Sequence, residues 1–205
     1  MPLIRSSLIQ LVGTIADIRM GATLRGRDAT RPDPKGSCCM IRIGDISNDG
    51  LLLSNELLRF EPKDFIKDDL FLRLGDVLFP NRGTRTTALA YDLAEPRTLA
   101  GAQFFVLKPD SRKVLPAYLA WFLRSEPAAQ HFQERRKGTL VQTIQRHDIA
   151  ELAIPLPSLA TQAKIVDLDA LATGERRLSA RLAQLRSHYL HHRLLAAAGK
   201  SKSNT

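Results

Sequence analysis

Hydrophobic positions along the chain change their spacing at one proline-rich segment. Before it, short apolar runs alternate with polar turns, a pattern that predicts strands and short helices. After Pro155-Leu156-Pro157, leucines recur every three or four residues, which predicts one long helix. Two prolines within three residues favour an extended backbone, so we place the boundary between the two parts there. The expected fold class is α+β, with a mixed globular part followed by one long C-terminal helix.

Individual elements follow from where each apolar run begins and ends. Residues 39–46 predict a strand, and the Asp-Gly pair in the turn 47–50 favours positive φ. Helices are expected over 116–123 and 127–136, where a proline stands in the first turn. The other predictions are a strand or helix over 8–18, a loop over 21–36, a strand from 51, a strand after the turn at 75–76, and a strand over 103–107.

The long helix has a regular seam of apolar residues. From 159 to 198 the chain has no proline and one glycine, and strong helix formers dominate. At about 1.5 Å per residue, roughly 40 residues extend about 60 Å, longer than a small domain needs to cover its core. We expect this helix to pair with another, although folding back on its own domain stays open as an alternative. The predicted dimerisation residues are Leu168, Leu171, Leu178, Leu182, Leu185 and Tyr189.

The composition is that of a globular protein with an excess of positive charge. Of 205 residues, 44% are hydrophobic and 25% are charged, so disorder is not expected. The chain has 30 Lys and Arg against 21 Asp and Glu, a net charge of +9 that attracts polyanions such as nucleic acids. No run approaches the roughly 18 apolar residues that span a bilayer, and the start resembles no signal peptide. We therefore expect a cytoplasmic protein with no membrane partner.

Side chains that can bind DNA concentrate in predicted loops and at the ends of elements. An arginine fork matches guanine edges and phosphates, and a glutamine amide can pair with adenine. Any single member of the set can be an ordinary solvated charge, so the clustering carries the prediction. Arg82 and Arg85 are the first candidates because their loop follows a buried strand. The predicted DNA-binding residues are Arg25, Arg27, Arg31, Lys35, Arg42, Asn81, Arg82, Thr84, Arg85, Lys137, Thr139 and Gln142.

The cysteines and histidines give little support for a metal site. Cys38 and Cys39 are the only cysteines, and as direct neighbours they predict two small buried side chains in a strand. His188, His191 and His192 share one helix, but no Cys or carboxylate stands at a matching spacing. We expect no metal and no cofactor.

One short pattern superficially matches a nuclease. Asp33 follows a proline, and Glu61 and Lys63 come later with a single residue between them. That residue is Pro62, which fits poorly in the strand that would have to carry the pair. The pattern predicts magnesium-dependent cleavage by the isolated chain, and we expect none. No catalytic residue is assigned.

Several motifs occur in the same order as in one known family. Residues 138–144 contain a Gly-Thr turn, 148–157 end in Ile-Pro-Leu-Pro, and 162–166 begin a helix with Gln-x-x-Ile-Val. Upstream, 74–78 read Leu-Gly-Asp-Val-Leu and 116–119 read Pro-Ala-Tyr-Leu. With these motifs the chain resembles the specificity (S) subunits of type I restriction-modification systems. One departure is a serine at 158, where a third proline is frequent.

The resemblance implies an organisation and a function. It implies a target recognition domain over 1–157, a spacer and dimerisation helix over 158–199 that packs antiparallel against its counterpart, and a disordered tail over 200–205. Family members usually hold two such units, so a chain with one is expected to be a half-size subunit. A homodimer of it would read a bipartite, palindromic site on double-stranded DNA. Methylase (M) subunits would dock on the spacer, and restriction (R) subunits through them, in defence against phage.

Catalysis in such a complex belongs to the partner subunits, so the chain is expected to be no enzyme. One alternative is a degenerate recognition domain that dimerises or occupies a methylase as a decoy or regulator. Pairing with a different half-subunit, instead of with a second copy, also stays open.

Overall fold

The computed structural model describes residues 8–24, 31–54, 56–93, 95, 97–136 and 142–200. Four predicted DNA-binding residues, Arg25, Arg27, Lys137 and Thr139, lie outside the described residues, as do residues 201–205 of the predicted tail. The chain divides into two compact units, Met1–Val166 and Asp167–Thr205. A sheet-rich first part followed by a long helix confirms the predicted α+β class.

The described elements alternate short strands with short helices until the last one. The strands are β1 Leu8–Leu11, β2 Ala16–Met20, β3 Cys38–Ile41, β4 Leu58–Phe60, β5 Val77–Pro80, β6 Leu89–Ala90, β7 Thr98–Ala100, β8 Phe104–Pro109 and β9 Ala153–Leu156. The helices are α1 Pro116–Leu123, α2 Glu126–Arg135, α3 Arg146–Ala150 and α4 Leu159–Lys200. Short 3₁₀ helices cover Val12–Thr14, Ile43–Asp45 and Asp68–Leu70.

The described strands form three sheets. The largest has the order β2-β8-β5-β6 with antiparallel pairs throughout. In the second, of order β4-β3-β7, β3 pairs antiparallel with β4 and parallel with β7. The third joins β1 to β9. In the largest sheet Pro80 pairs with Phe104, so the loop that leaves β5 starts beside the beginning of β8.

Both faces of β5 are buried, which explains its unbroken apolar run. Val77 and Phe79 pack with α1 and α2 in one core cluster, whereas Leu78 packs in a second cluster on the opposite face. The rings of Phe79 and Phe132 lie 4.8 Å apart between their centroids. Each such fully buried side chain contributes about 1.5–3 kcal/mol. The strand that precedes the candidate site is therefore one of the most firmly held in the fold.

Two predicted strands differ from the structure. The strand expected over 39–46 ends at Ile41, and the backbone turns into a 3₁₀ helix at Ile43. The cause is local, because the Asp45 carboxylate accepts the backbone N–H of Arg42 at 2.8 Å and so competes with a sheet. The returning strand expected from 51 is wrong, since among the described residues 51–54 only Leu52 forms a bridge, and β4 is the antiparallel partner of β3.

Helix α4 presents the predicted apolar seam to solvent in the single chain. The six seam residues are between 49% and 73% exposed, with Leu182 the least and Leu178 the most exposed. Helices in the described part of the chain are all too short or too polar to cross a membrane.

Candidate nucleic-acid interface

The loop that follows β5, residues 81–85, is fixed by backbone hydrogen bonds on both sides; we name it the reading loop. The Asn81 N–H donates to the Gln103 carbonyl at 2.9 Å. Gly83 has φ of 83°, which a glycine adopts without strain, and its N–H donates to the Gln142 carbonyl at 2.8 Å. The loop is exposed but held by its neighbours in the fold.

Residues 142–144, which we name the bridging segment, lie antiparallel to this loop. The Ile144 N–H donates to the Asn81 carbonyl at 3.0 Å, and Arg82 and Thr143 form a β-bridge. Three predicted DNA-binding side chains are thereby brought together, and all three are exposed: Arg82, Thr84 and Gln142. A guanidinium, a hydroxyl and an amide at one site can together donate to bases and phosphates and accept from bases.

The residues after β3, 42–46, lie against the same loop; we name them the β3 turn. Arg85 donates from Nη1 to the Ile43 carbonyl at 3.3 Å and from Nη2 to the Ile46 carbonyl at 2.7 Å. Arg42 at the start of this turn is exposed and pairs with Asp45 at 3.4 Å. Since both charges of that pair are near solvent, it is weak and leaves Arg42 able to exchange partners.

Two predicted DNA-binding side chains point inward in this structure. Asn81 is 4% exposed, and its Nδ2 donates to the Ala102 carbonyl at 2.9 Å. Arg85 is half-buried, and its guanidinium is committed to carbonyls of the β3 turn. The sequence located the loop, but position in a loop does not tell whether a side chain supports it or projects from it.

Arg31 and Lys35 are exposed on a neighbouring part of the surface. A cavity of about 570 Å³ has Arg42 in its lining, and a second of about 260 Å³ has Arg31. Pro32 and Asp33 line both, so the two cavities are adjacent. Acidic side chains share these linings, namely Asp33, Glu56, Glu61 and Glu95. This part of the surface is therefore mixed in charge.

The residues of the nuclease-like pattern do meet in space. Asp33, Glu61 and Lys63 line the 260 Å³ cavity together. Each carboxylate already accepts a backbone N–H, that of Lys35 at 2.9 Å for Asp33 and that of Ser37 at 2.8 Å for Glu61. Within the described ranges, no group of three or more His, Cys, Asp or Glu side chains could hold a metal ion.

Both cysteines are buried, as the strand prediction implied. Cys39 lines the larger cavity beside the ion pair of Arg59 and Glu95, whose atoms are 2.9 Å apart. Burial raises the pKa of the Cys39 thiol, with the nearby Arg59 opposing this shift. A thiol held protonated in this way is a poor nucleophile.

Sequence reasoning missed the structural role of Arg136. Its guanidinium donates hydrogen bonds to the carbonyls of Gly83 and Arg85, so the residue that follows α2 anchors the reading loop. Burial lowers the pKa of Arg136, but an arginine stays charged at neutral pH. Arg136 stands beside other basic residues in the sequence, and no local signal there distinguishes a side chain that turns inward.

Comparison with known proteins identifies the fold. No family model and no curated protein matches the sequence. The S subunit of a type I restriction-modification system from M. genitalium matches over 93% of this chain, with TM-score 0.55 and 16% identity. The HsdS subunit from Thermoanaerobacter tengcongensis matches over 85%, with TM-score 0.59 and 20% identity. A structure that describes complex assembly and conformational transition of the type I R-M system matches over 95%, with TM-score 0.67 and 19% identity.

The chain thus has the fold of type I restriction-modification specificity subunits, as its motifs predicted. It spans less than half the length of the three matched chains, namely 47%, 39% and 45% in the order given. The described part of this chain contains one sheet-rich globular part and one long helix.

Proposed function

We propose that this chain is a sequence-specific DNA-reading unit of a type I restriction-modification complex, and that it catalyses no reaction itself. One observation carries the proposal: a β-bridge and backbone hydrogen bonds pair the reading loop with the bridging segment, so the exposed Arg82 and Gln142 belong to one fixed support. These two side chains are suited to guanine and adenine edges. The fold shared with S subunits is the second support.

The proposed contact set follows from exposure. Asn81 and Arg85 support the loop and are left out of it, whereas Arg25, Arg27, Lys137 and Thr139 stay predictions from sequence. Among described residues the set is Arg31, Lys35, Arg42, Arg82, Thr84 and Gln142. The cations of this set would supply most of the affinity through phosphates, and base contacts would supply selectivity.

The exposed seam of α4 is proposed to pair antiparallel with the same helix of a second copy. An unpaired row of leucines is unfavourable in water, and burying each would contribute about 1.5–3 kcal/mol. Two reading units would then stand at opposite ends of the paired helices and read a bipartite site in the cytoplasm. We propose that methylase subunits, and restriction subunits through them, assemble on this scaffold.

A selection experiment tests the proposal. The full chain, with the methylase subunit of its own genome, is incubated with a pool of randomised DNA duplexes, and the retained sequences are read. We expect a bipartite consensus and an affinity for it about 10³–10⁷ times that for a scrambled duplex. The affinity should fall steeply as salt is raised, because bound cations are released from phosphates.

The same preparation separates the alternatives. Equal affinity for selected and scrambled duplexes, with intact folding and methylase binding, would show a decoy or regulator. Magnesium-dependent cleavage by the isolated chain, abolished by Asp33→Ala, would show the nuclease. Sedimentation of the full chain with and without a second, tagged copy determines whether it pairs with itself.

A further inference from the structure

Two arginines that point inward, Arg85 and Arg136, connect the reading loop to the β3 turn and to the end of α2. Arg85 belongs to the reading loop but donates to the Ile43 and Ile46 carbonyls of the β3 turn, at 3.3 and 2.7 Å. Arg136 donates to the Gly83 and Arg85 carbonyls of the reading loop itself. Hydrogen bonds therefore run without interruption from the β3 turn to the end of α2, across segments that are about 40 and 50 residues apart in sequence.

An arginine is well suited to the link at Arg85. Its planar guanidinium donates from two separate nitrogens at fixed angles, whereas the three donors of a lysine ammonium share one nitrogen that would have to reach both carbonyls from a single point. The link is also incomplete, since Arg85 Nε is buried and no acceptor among the described residues bonds to it. A buried donor without a partner costs stability. Residues at functional sites often carry such a cost, because their position is set by function and not by the stability of the fold.

We infer that Arg85 is a positioning residue for DNA recognition, which rests on the proposed function. It fixes the β3 turn against the reading loop, so that Arg42 and Arg82 meet one stretch of duplex at a set spacing. Arg136 supports the same loop from α2. A positioning residue acts on every base position read by either segment, whereas a base-contacting residue acts on one.

The test compares variants of the full chain, bound to its methylase, on the consensus selected by the unaltered protein. The variants are Arg85→Lys, which keeps the charge, Arg85→Ala, Arg136→Ala, and Arg82→Ala as the contact variant. We expect Arg85→Ala to relax several consensus positions together and to lower the ratio of selected to scrambled affinity by roughly 10–100-fold. Arg85→Lys should resemble Arg85→Ala, while Arg82→Ala relaxes one position. Hydrogen exchange of the β3 turn should rise in the Arg85 variants only.

Each other outcome overturns the inference. Relaxation of a single position by Arg85→Ala would make Arg85 a base contact, and a salt slope lower by about 1 would make it a phosphate contact. Full selectivity in a folded Arg85→Lys protein would leave Arg85 with a structural role alone. If Arg85→Ala does not fold, the result for Arg85→Lys decides. A lack of any preference in the unaltered protein is a different failure, because it refutes the proposed function.

Discussion

The Oε1 atom of Gln162 accepts the backbone N–H of Leu115 at 2.9 Å, although 47 residues separate the two. The Nε2 atom of the same side chain donates to the carbonyls of Lys113 and Pro157, both at 3.0 Å. Gln162 is fully buried, and Leu115 is the residue that precedes α1. A single amide thus satisfies three backbone groups where α1 and α4 begin.

Replacing Gln162 by alanine should therefore destabilise the globular unit. Three backbone groups, of Lys113, Leu115 and Pro157, would lose their partner, and one unsatisfied buried group costs about 1–3 kcal/mol. We expect a loss of about 2–4 kcal/mol in urea unfolding, since water can reach part of the gap. Gln130→Ala, at an exposed position of α2, is the control and should change stability by less than about 0.5 kcal/mol.

Gly50 should tolerate no side chain. Its φ is 73°, and a Cβ built there would lie 2.1 Å from the Ala88 carbonyl oxygen. Gly50→Ala is expected to lower the free energy of unfolding by more than about 2 kcal/mol. Gly44→Ala is a matched control, because a Cβ at Gly44 meets nothing within 4 Å. Equal melting temperatures for the two variants would contradict this geometry.

The Arg82 side chain should contact one base or one phosphate. In Arg82→Ala the affinity for the selected duplex should fall by about 1–3 kcal/mol, with relaxed preference at one position if the contact is to a base. Arg112→Ala is a suitable control, because Arg112 is exposed and follows the far end of β8 from the reading loop. Binding measured by fluorescence anisotropy over a salt series distinguishes the two kinds of contact. An unchanged consensus and an unchanged salt slope would remove Arg82 from the contact set.

Self-association should depend on the seam of α4. Leu182→Asp places a charge among apolar side chains in both copies and should convert a sedimenting dimer into a monomer. Arg181→Asp changes the charge by one unit more but lies beside the seam, so the dimer should persist. If both variants sediment like the unaltered chain, the seam is not the dimer contact.

The stability of the globular unit should depend on the ionisation of Asp76. Burial raises its pKa above the ordinary 3.8, against the opposing effects of the Arg73 N–H and of Arg19. A raised pKa in the folded state means that stability is present below pH 3.8 and is lost as pH rises through the folded value. The charged carboxylate is therefore a net cost at neutral pH.

Asp76→Asn keeps an acceptor for the Arg73 N–H and removes that cost. We expect a higher urea midpoint for the variant at pH 7 and no difference well below pH 3.8. A variant that is less stable at pH 7 would show that the charge of Asp76 stabilises the fold.

The sequence pattern predicted those helices and strands that are specified by their own residues. Helix α1 has the predicted bounds, because a proline at its first position and apolar residues at helical spacing specify both its start and its buried face. The buried strand β5 was equally readable, since a run that is apolar at every position fits a strand with both faces covered.

Long-range partners were beyond the sequence pattern. Nothing near Leu52 reveals that β3 pairs instead with β4, because strand pairing depends on which edge is free in the folded sheet. The same holds for the site, where Arg82 and Gln142 were both predicted, but the pairing of the two segments that carry them was not. Asn81 and Arg85 show a further limit of the sequence pattern. They lie one and three residues from the exposed Arg82, yet their side chains point inward.

The interlocked loops have a consequence for protein engineering. Because the reading loop obtains its shape from the β3 turn, the end of α2 and the bridging segment, a transplant of residues 81–85 alone into a related scaffold would arrive without its supports. To transfer a DNA specificity to this scaffold, all four segments would have to be exchanged together. A chimera whose crossover point falls between any two of them would combine a loop from one protein with supports from another.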